Sequence, residues 1–181
     1  MESKGKYVAF LRGINVGGHH KVPMADLRAE LKKINLKNVI TLLNSGNVLF
    51  ESDEKNLENK ISEHLEKTFG FQIPIIIRKS EIILGMLNDN PFKDIKITKD
   101  IRLYVSFSQK EVSTELVLPW KSADESYKII EKTDKTIFSV LDLSISKTPK
   151  AMEALEKYYG KGITTRNWNT IKRIGKKASE Q

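Results

Sequence analysis

The chain has no cysteine among its 181 residues, and this absence removes disulfides, thiolate nucleophiles, iron–sulfur clusters and cysteine zinc sites. It has three histidines, of which His19 and His20 are adjacent and would point apart on a strand. No H-E-x-x-H or comparable ligand spacing occurs, so neither a metal centre nor a cofactor is expected. Long hydrophobic runs are also missing: none reaches the ~18 apolar residues of a membrane span. The start, MESKGKYVAF, has a lysine-rich turn with no apolar stretch behind it, so the expectation is a soluble, cytoplasmic protein with no membrane contact. No G-x-S-x-G elbow or Ser/His/Asp order appears, and no general base can be named.

What remains is ordinary globular material. Hydrophobic residues make up 39% and charged residues 30%, and the length allows one compact domain or two small ones, with a core that needs no staples. The formal charge is +8, and residues 161–181 carry +5 of it through Lys161, Arg166, Lys172, Arg173, Lys176 and Lys177 against Glu180. Such a segment fits a polyanion, and it equally fits a last helix whose lysines complement the helix dipole.

Periodicity predicts the elements. Lys6–Arg12 (KYVAFLR) is a continuous apolar run typical of a buried strand. A glycine-rich loop, Gly13–Lys21, leads to Pro23 at the start of a helix carrying Met24, Leu27, Leu31 and Ile34. Asn38–Leu43 and Asn47–Phe50 read as strands joined by Asn44-Ser45-Gly46, where asparagine and glycine would supply positive φ. Ser52 or Asp53 would cap a helix with Leu57, Ile61, Leu65 and Phe69 on one face, ended by Gly70. Ile73–Ile77 contains Pro74, which assigns it to a sheet edge. The order is βαββαβ, the ferredoxin-like split unit.

Lys79–Asn88 reads as a connecting helix. The second half begins with the alternating strand Ile101–Phe107 and a short helix over Gln109–Val117. A hairpin of Tyr127–Lys132 and Thr136–Leu141 turns at Thr133-Asp134-Lys135. A helix from Thr148-Pro149 to Tyr159, an extended piece at Ile163–Thr165 and a final helix over Asn167–Lys177 follow. The expected fold is therefore α+β: two ferredoxin-like βαββαβ units in tandem plus a C-terminal helix. The divisions are 1–78, a linker at 79–100, and 101–181. The halves share an element order without obvious sequence identity.

Three segments could carry chemistry. Gly13 and Gly18 match the G-x-x-x-x-G of a phosphate loop, but His19-His20 stand where Lys-Ser/Thr would be, and no Rossmann fingerprint is present. The loop, with Gly17 and Gly18, can still present backbone N–H groups to an anion at a helix N-terminus, or be only a tight turn. Arg12, at the end of a buried strand, must pair with a carboxylate, reach solvent or wait for an oxyanion. Asn15 can bind a ligand or hold the turn. Asn44, Ser45 and Asn47 suit a hairpin and would also suit recognition of a base, sugar or phosphate. Thr165 or Asn167 would cap the last helix, Trp168 packs with Ile171 and Ile174, and Arg166 at a positive helix N-terminus invites an anion.

These segments resemble a known family. YVAFLRGINVGGHHKVPMADLR, LLNSGNVLF and TTRNWNTIKR are similar to the signatures LRGINVGG, SGNV and TTRNWNT of an uncharacterised bacterial "domain of unknown function" family. The resemblance implies a cytoplasmic α+β protein with ferredoxin-like elements and implies no activity. It carries over to Arg12, Gly13, Asn15, Gly17, Gly18, Asn44, Ser45, Gly46, Asn47, Thr165, Arg166, Asn167 and Trp168.

Three functions follow as expectations. The first is a site for a phosphorylated or otherwise anionic small molecule, such as a nucleotide, clamped by Arg12 and Arg166 and oriented by Asn15, Asn44 and Asn167. The second is an RNA-binding module using Tyr7, Phe10 and Phe50 as a stacking platform beside the basic last helix. The third is a protein-interaction or regulatory domain.

Overall fold

A computed structural model describes residues 4–112, 116–133 and 135–181. The chain forms two units, Met1–Gly85 with Ile174–Gln181, and Met86–Arg173. Among the described residues no helix is long and apolar enough to cross a membrane.

The first unit contains β1 (Gly5–Leu11), α1 (Met24–Lys33), β2 (Lys37–Leu42), β3 (Asn47–Ser52), α2 (Leu57–Phe69) and β4 (Ile75–Lys79). Its antiparallel sheet has the order β2-β3-β1-β4, the split βαββαβ arrangement with β4 at an edge. Pro74 stands just before β4, and its carbonyl accepts the Arg12 N–H at 2.9 Å, so proline costs the ladder no donor. Leu27 and Leu31 of α1 and Leu57, Ile61 and Leu65 of α2 recur at helical spacing and are buried against Ala9, Leu11, Val48, Phe50 and Ile75. The α2 cap differs from expectation. Ser52 ends β3 and its Oγ accepts the Glu54 N–H, while Asn56, at φ 55°, occupies the N-cap.

The second unit contains the end of α3 (Ser80–Asp89), which begins in the first, then β5 (Ile101–Ser108), β6 (Trp120–Lys121), β7 (Tyr127–Thr133), β8 (Thr136–Asp142), α4 (Thr148–Tyr159) and β9 (Ile163–Asn167). The order β6-β7-β8-β5-β9 repeats the first sheet, with β7, β8, β5 and β9 in the places of β2, β3, β1 and β4. β6 is an added edge strand. The last helix, α5 (Trp168–Ser179), begins in the second unit and ends in the first.

The helix expected over Gln109–Val117 is corrected. Residues 109–112 and 116–117 are not helical, and 113–115 lie outside the described residues, as does Asp134 of the β7–β8 turn. The physical reason is a period of two: Leu116, Leu118 and Trp120 pack against the core while Val117 is 83% exposed. Alternation of that kind belongs to an extended chain leading into β6.

Strand register also exposes a sequence repeat. Tyr7 lies opposite Phe50 and Lys79, and Tyr104 lies opposite Ser139 and Asn167. Tyr7-Val8-Ala9-Phe10 therefore matches Tyr104-Val105-Ser106-Phe107, and Ile75 and Arg78 match Ile163 and Arg166. These identities, aligned by register, sit in the paired strands β1/β4 and β5/β9.

Candidate functional site

The glycine-rich loop folds as a small hairpin. Gly17 (φ 59°) and Gly18 (φ 79°) form the two-residue turn between Val16 and His19, closed by a His19 N–H to Val16 carbonyl bond of 3.1 Å. Two successive positive φ values are the primed turn geometry that glycine permits at least cost. The Asn15 N–H continues the ladder to the His20 carbonyl at 3.0 Å. The His20 ring stacks on Phe71 with centroids 4.3 Å apart, and its Nδ1 lies 3.3 Å from the Gly13 carbonyl oxygen.

Asn15 joins this loop to the next segment. Its Nδ2 donates to the carbonyls of Val22 (3.0 Å) and Asn44 (2.9 Å), and its Oδ1 accepts the Val22 N–H (2.8 Å). Both amide protons are thus committed to main chain, which gives Asn15 the turn-holding role. The Leu11 N–H donates to the Gly46 carbonyl at 2.8 Å, so the Gly13–Lys21 loop and the Asn44–Asn47 hairpin are adjacent.

The hairpin turn is wider than expected. It spans Leu43 to Gly46, and the positive φ values fall on Leu43 (60°) and Gly46 (79°), not on Asn44. The reason is Asn47, fully buried, whose Nδ2 reaches back to the Leu42 carbonyl (2.9 Å) and the Ser45 Oγ (3.0 Å). Asn44 and Ser45 are exposed.

Above the start of α1 these segments leave a depression of about 360 Å3, lined by Asn15, Gly18, Lys21, Val22, Pro23, Met24 and Asn44. Pro23 is the N-cap and provides no side-chain cap, so the first-turn N–H groups receive no oxygen from it. Lys21 is exposed beside them. Candidate residues named from the sequence meet here: Asn15, Gly18 and Asn44 line the depression, while Gly13 and Gly17 shape the loop. Lys21 and Pro23 were not among the named site residues. The available signal was a lysine two residues before a proline-started helix, a start that lacks a capping side chain.

Arg12 is half-buried at the end of β1. The third segment lies in the second unit. Arg166 lies in β9, directly before the Asn167 cap of α5, and is 9% exposed, donating to Thr164 Oγ1 (2.9 Å) and the Thr165 carbonyl (3.0 Å). Loss of hydration there pulls its pKa down to about 10. Thr165 pairs its hydroxyl with Ser106 at 2.8 Å, and Asn167 Oδ1 accepts the Asn169 N–H at 2.9 Å, capping α5. Trp168 is buried edge-on to Phe92, with ring centroids 5.1 Å apart.

The aromatics considered for base stacking are not a surface platform. Phe10 and Phe50 are fully buried, and Tyr7 is stacked on Phe50 at 5.6 Å within the helix-covered core.

No curated protein matches the chain. Its structure is similar to that of a conserved bacterial protein, SP0830 from Streptococcus pneumoniae, at 25% identity and a TM-score of 0.69, over 97% of this chain and 99% of the other. The model of a family described as protein of unknown function matches residues 5–138, a span that holds the first two signature segments and ends before Thr164. On that match the chain belongs to the DUF1697 family.

Proposed function

We propose that this protein binds a small phosphorylated or otherwise anionic molecule in the depression at the start of α1. The observation that carries the reading is a helix N-terminus without a capping side chain, opening on a concavity of about 360 Å3 with Lys21 on its wall. First-turn N–H groups and the positive end of the helix dipole attract an anion, and Lys21 adds a full charge. The volume falls within the ~300–1,000 Å3 range of small-molecule sites. Asn44 and the Gly18 backbone would orient the bound group, with Asn15 fixing both loops behind it. A cytoplasmic location belongs to the same reading, because phosphorylated metabolites are made and used there.

Thermal shift tests it with inorganic phosphate, nucleoside monophosphates and sugar phosphates. A ligand at a hundred times its dissociation constant contributes about 2.7 kcal/mol, a rise of roughly 5 °C or more for a chain of this size. Lys21→Ala should remove that rise and leave the unliganded midpoint in place. No shift with any of these anions, or a shift that survives Lys21→Glu, overturns the proposal.

A further inference from the structure

The two units differ at one equivalent place, the end of the helix that precedes the last strand of each half-repeat. Both α2 and α4 stop at a glycine of positive φ, Gly70 (79°) and Gly160 (78°), whose N–H donates to the carbonyl four residues back at 2.8 Å. In the first unit a ring pair lies beyond that glycine. His20, brought round by the glycine-rich loop after β1, stacks on Phe71 with its Nδ1 3.3 Å from the Gly13 carbonyl oxygen. The pair therefore sits between the chain that leaves β1 and the chain that enters β4.

The second unit has neither ring. Between β5 and Trp120 the sequence QKEVSTELVLP contains no aromatic residue and no histidine. The connection from Gly160 to β9 is two residues shorter than that from Gly70 to β4, and consists of Lys161 and Gly162. Between the same two stretches of chain lies a depression of about 310 Å3, lined by Val112 and its neighbours after β5, by Tyr158 and Tyr159 at the end of α4, and by Gly162. Val112 is 8% exposed and belongs to one core cluster with Leu155 and Ile163, so it gives the depression an apolar base. Tyr158 is held edge-on to Trp120, with ring centroids 5.0 Å apart. The two exposed charges on the lining, Lys110 and Glu111, are of opposite sign. Burial raises the pKa of Tyr159 and keeps its phenol neutral. Such walls favour neither an anion nor a cation.

We infer that this depression is a binding site for a small, flat, uncharged aromatic molecule, whose ring takes the place that the His20 side chain holds in the first unit. An apolar cavity of ~150 Å3 is enough for benzene, so the space admits one ring with a polar substituent. Two tyrosines offer the faces and edges against which an aromatic ring packs offset or edge-on. The inference does not rest on the anion site of the first unit.

Phenol and cyclohexanol share their heavy-atom skeleton, one flat and one puckered, and titration of each into the isotope-labelled protein, followed by amide chemical shifts, is the test. Phenol is expected to move the Val112 and Gly162 amides saturably and to bind roughly three- to tenfold more tightly than cyclohexanol, the factor that a ring pair contributes beyond buried area. The Gly13 and Phe71 amides should stay in place, because His20 already covers that position in the first unit. Gly162 supplies the variant: its φ lies outside the left-handed region and a Cβ there meets nothing within 4 Å. Gly162→Leu should therefore keep the thermal midpoint, obstruct the depression and abolish the saturable shifts. Absence of saturation with phenol overturns the inference. So do equal affinities for phenol and cyclohexanol, equal shifts at Gly13 and Phe71, or undiminished phenol binding by Gly162→Leu.

Discussion

Gly46 is the residue that the meeting of the two signature loops tolerates least well as anything else. A Cβ at this position would lie 2.7 Å from Leu11 Cβ and 2.8 Å from Ile14 Cδ1, about 1 Å inside ordinary carbon contact. Neither neighbour can move freely. Leu11 and Ile14 are 1% and 2% exposed, Leu11 is tied to the Gly46 carbonyl, and Asn15 pins the next turn to Asn44. Alanine at φ 79° also meets left-handed strain of about 1–2 kcal/mol. Overpacking adds about 1–3 kcal/mol, so Gly46→Ala should destabilise the first unit by about 2–5 kcal/mol. Gly13 is the internal control: its φ is 73°, and a Cβ there meets nothing within 4 Å. Gly13→Ala should therefore cost the strain alone, about 1–2 kcal/mol. Urea unfolding separates the two variants. Both tryptophans, Trp120 and Trp168, belong to the second unit, so far-UV circular dichroism is the appropriate signal for the first. Equal losses for the two variants, within about 0.5 kcal/mol, would refute the close approach and leave only a backbone preference.

Two further outcomes are expected. Asn15→Ala removes three side-chain hydrogen bonds at a residue with φ 55° and should cost about 2–4 kcal/mol in urea unfolding, with faster exchange of the Val22 N–H that Oδ1 now holds. Asp124 is held well below the usual carboxylate range, first by Lys150 and then by Ser122 and Ser126. Its stabilisation is complete above the ordinary unfolded value of about 4. As pH falls below that value the unfolded chain takes up the proton first, so stability declines toward the depressed folded value. Asp124→Asn should flatten this acid limb while lowering stability at neutral pH, and unchanged acid sensitivity would refute the assignment.

The first unit was readable because its signals are local. Leu57, Ile61 and Leu65 announce α2, and Pro74 marks an edge strand. The chain before β6 misled because the helical reading of 109–117 set aside the in-out alternation of Leu116, Val117 and Leu118, which continues into Trp120. Within the site, Gly17 and Gly18 were legible as turn residues. The partner of Asn15 was not, since its bond to the Asn44 carbonyl spans 29 residues. The left-handed Leu43 was also hidden. Leucine has no turn preference of its own, and the conformation is closed by the buried amide of Asn47.

The repeat changes how the third signature should be understood. Arg166 looked functional because an arginine in TTRNWNT seemed to lack a structural reason. Its counterpart by register is Arg78, which lies outside all three signatures. Arg78 is 8% exposed, donates to the carbonyl of the preceding residue at 2.9 Å, and has its pKa lowered by burial, partly offset by Glu58. Arg166 does the same with the Thr165 carbonyl. Each arginine faces a valine, Val8 or Val105, and each stands two residues before a helix, α3 or α5. A guanidinium buried twice at one register position, once without any signature around it, is explained by the architecture of the half-repeat. Arg166 thus shares its register position and its burial with Arg78, whereas the loop before α1 has no glycine-rich equivalent in the sequence after β5.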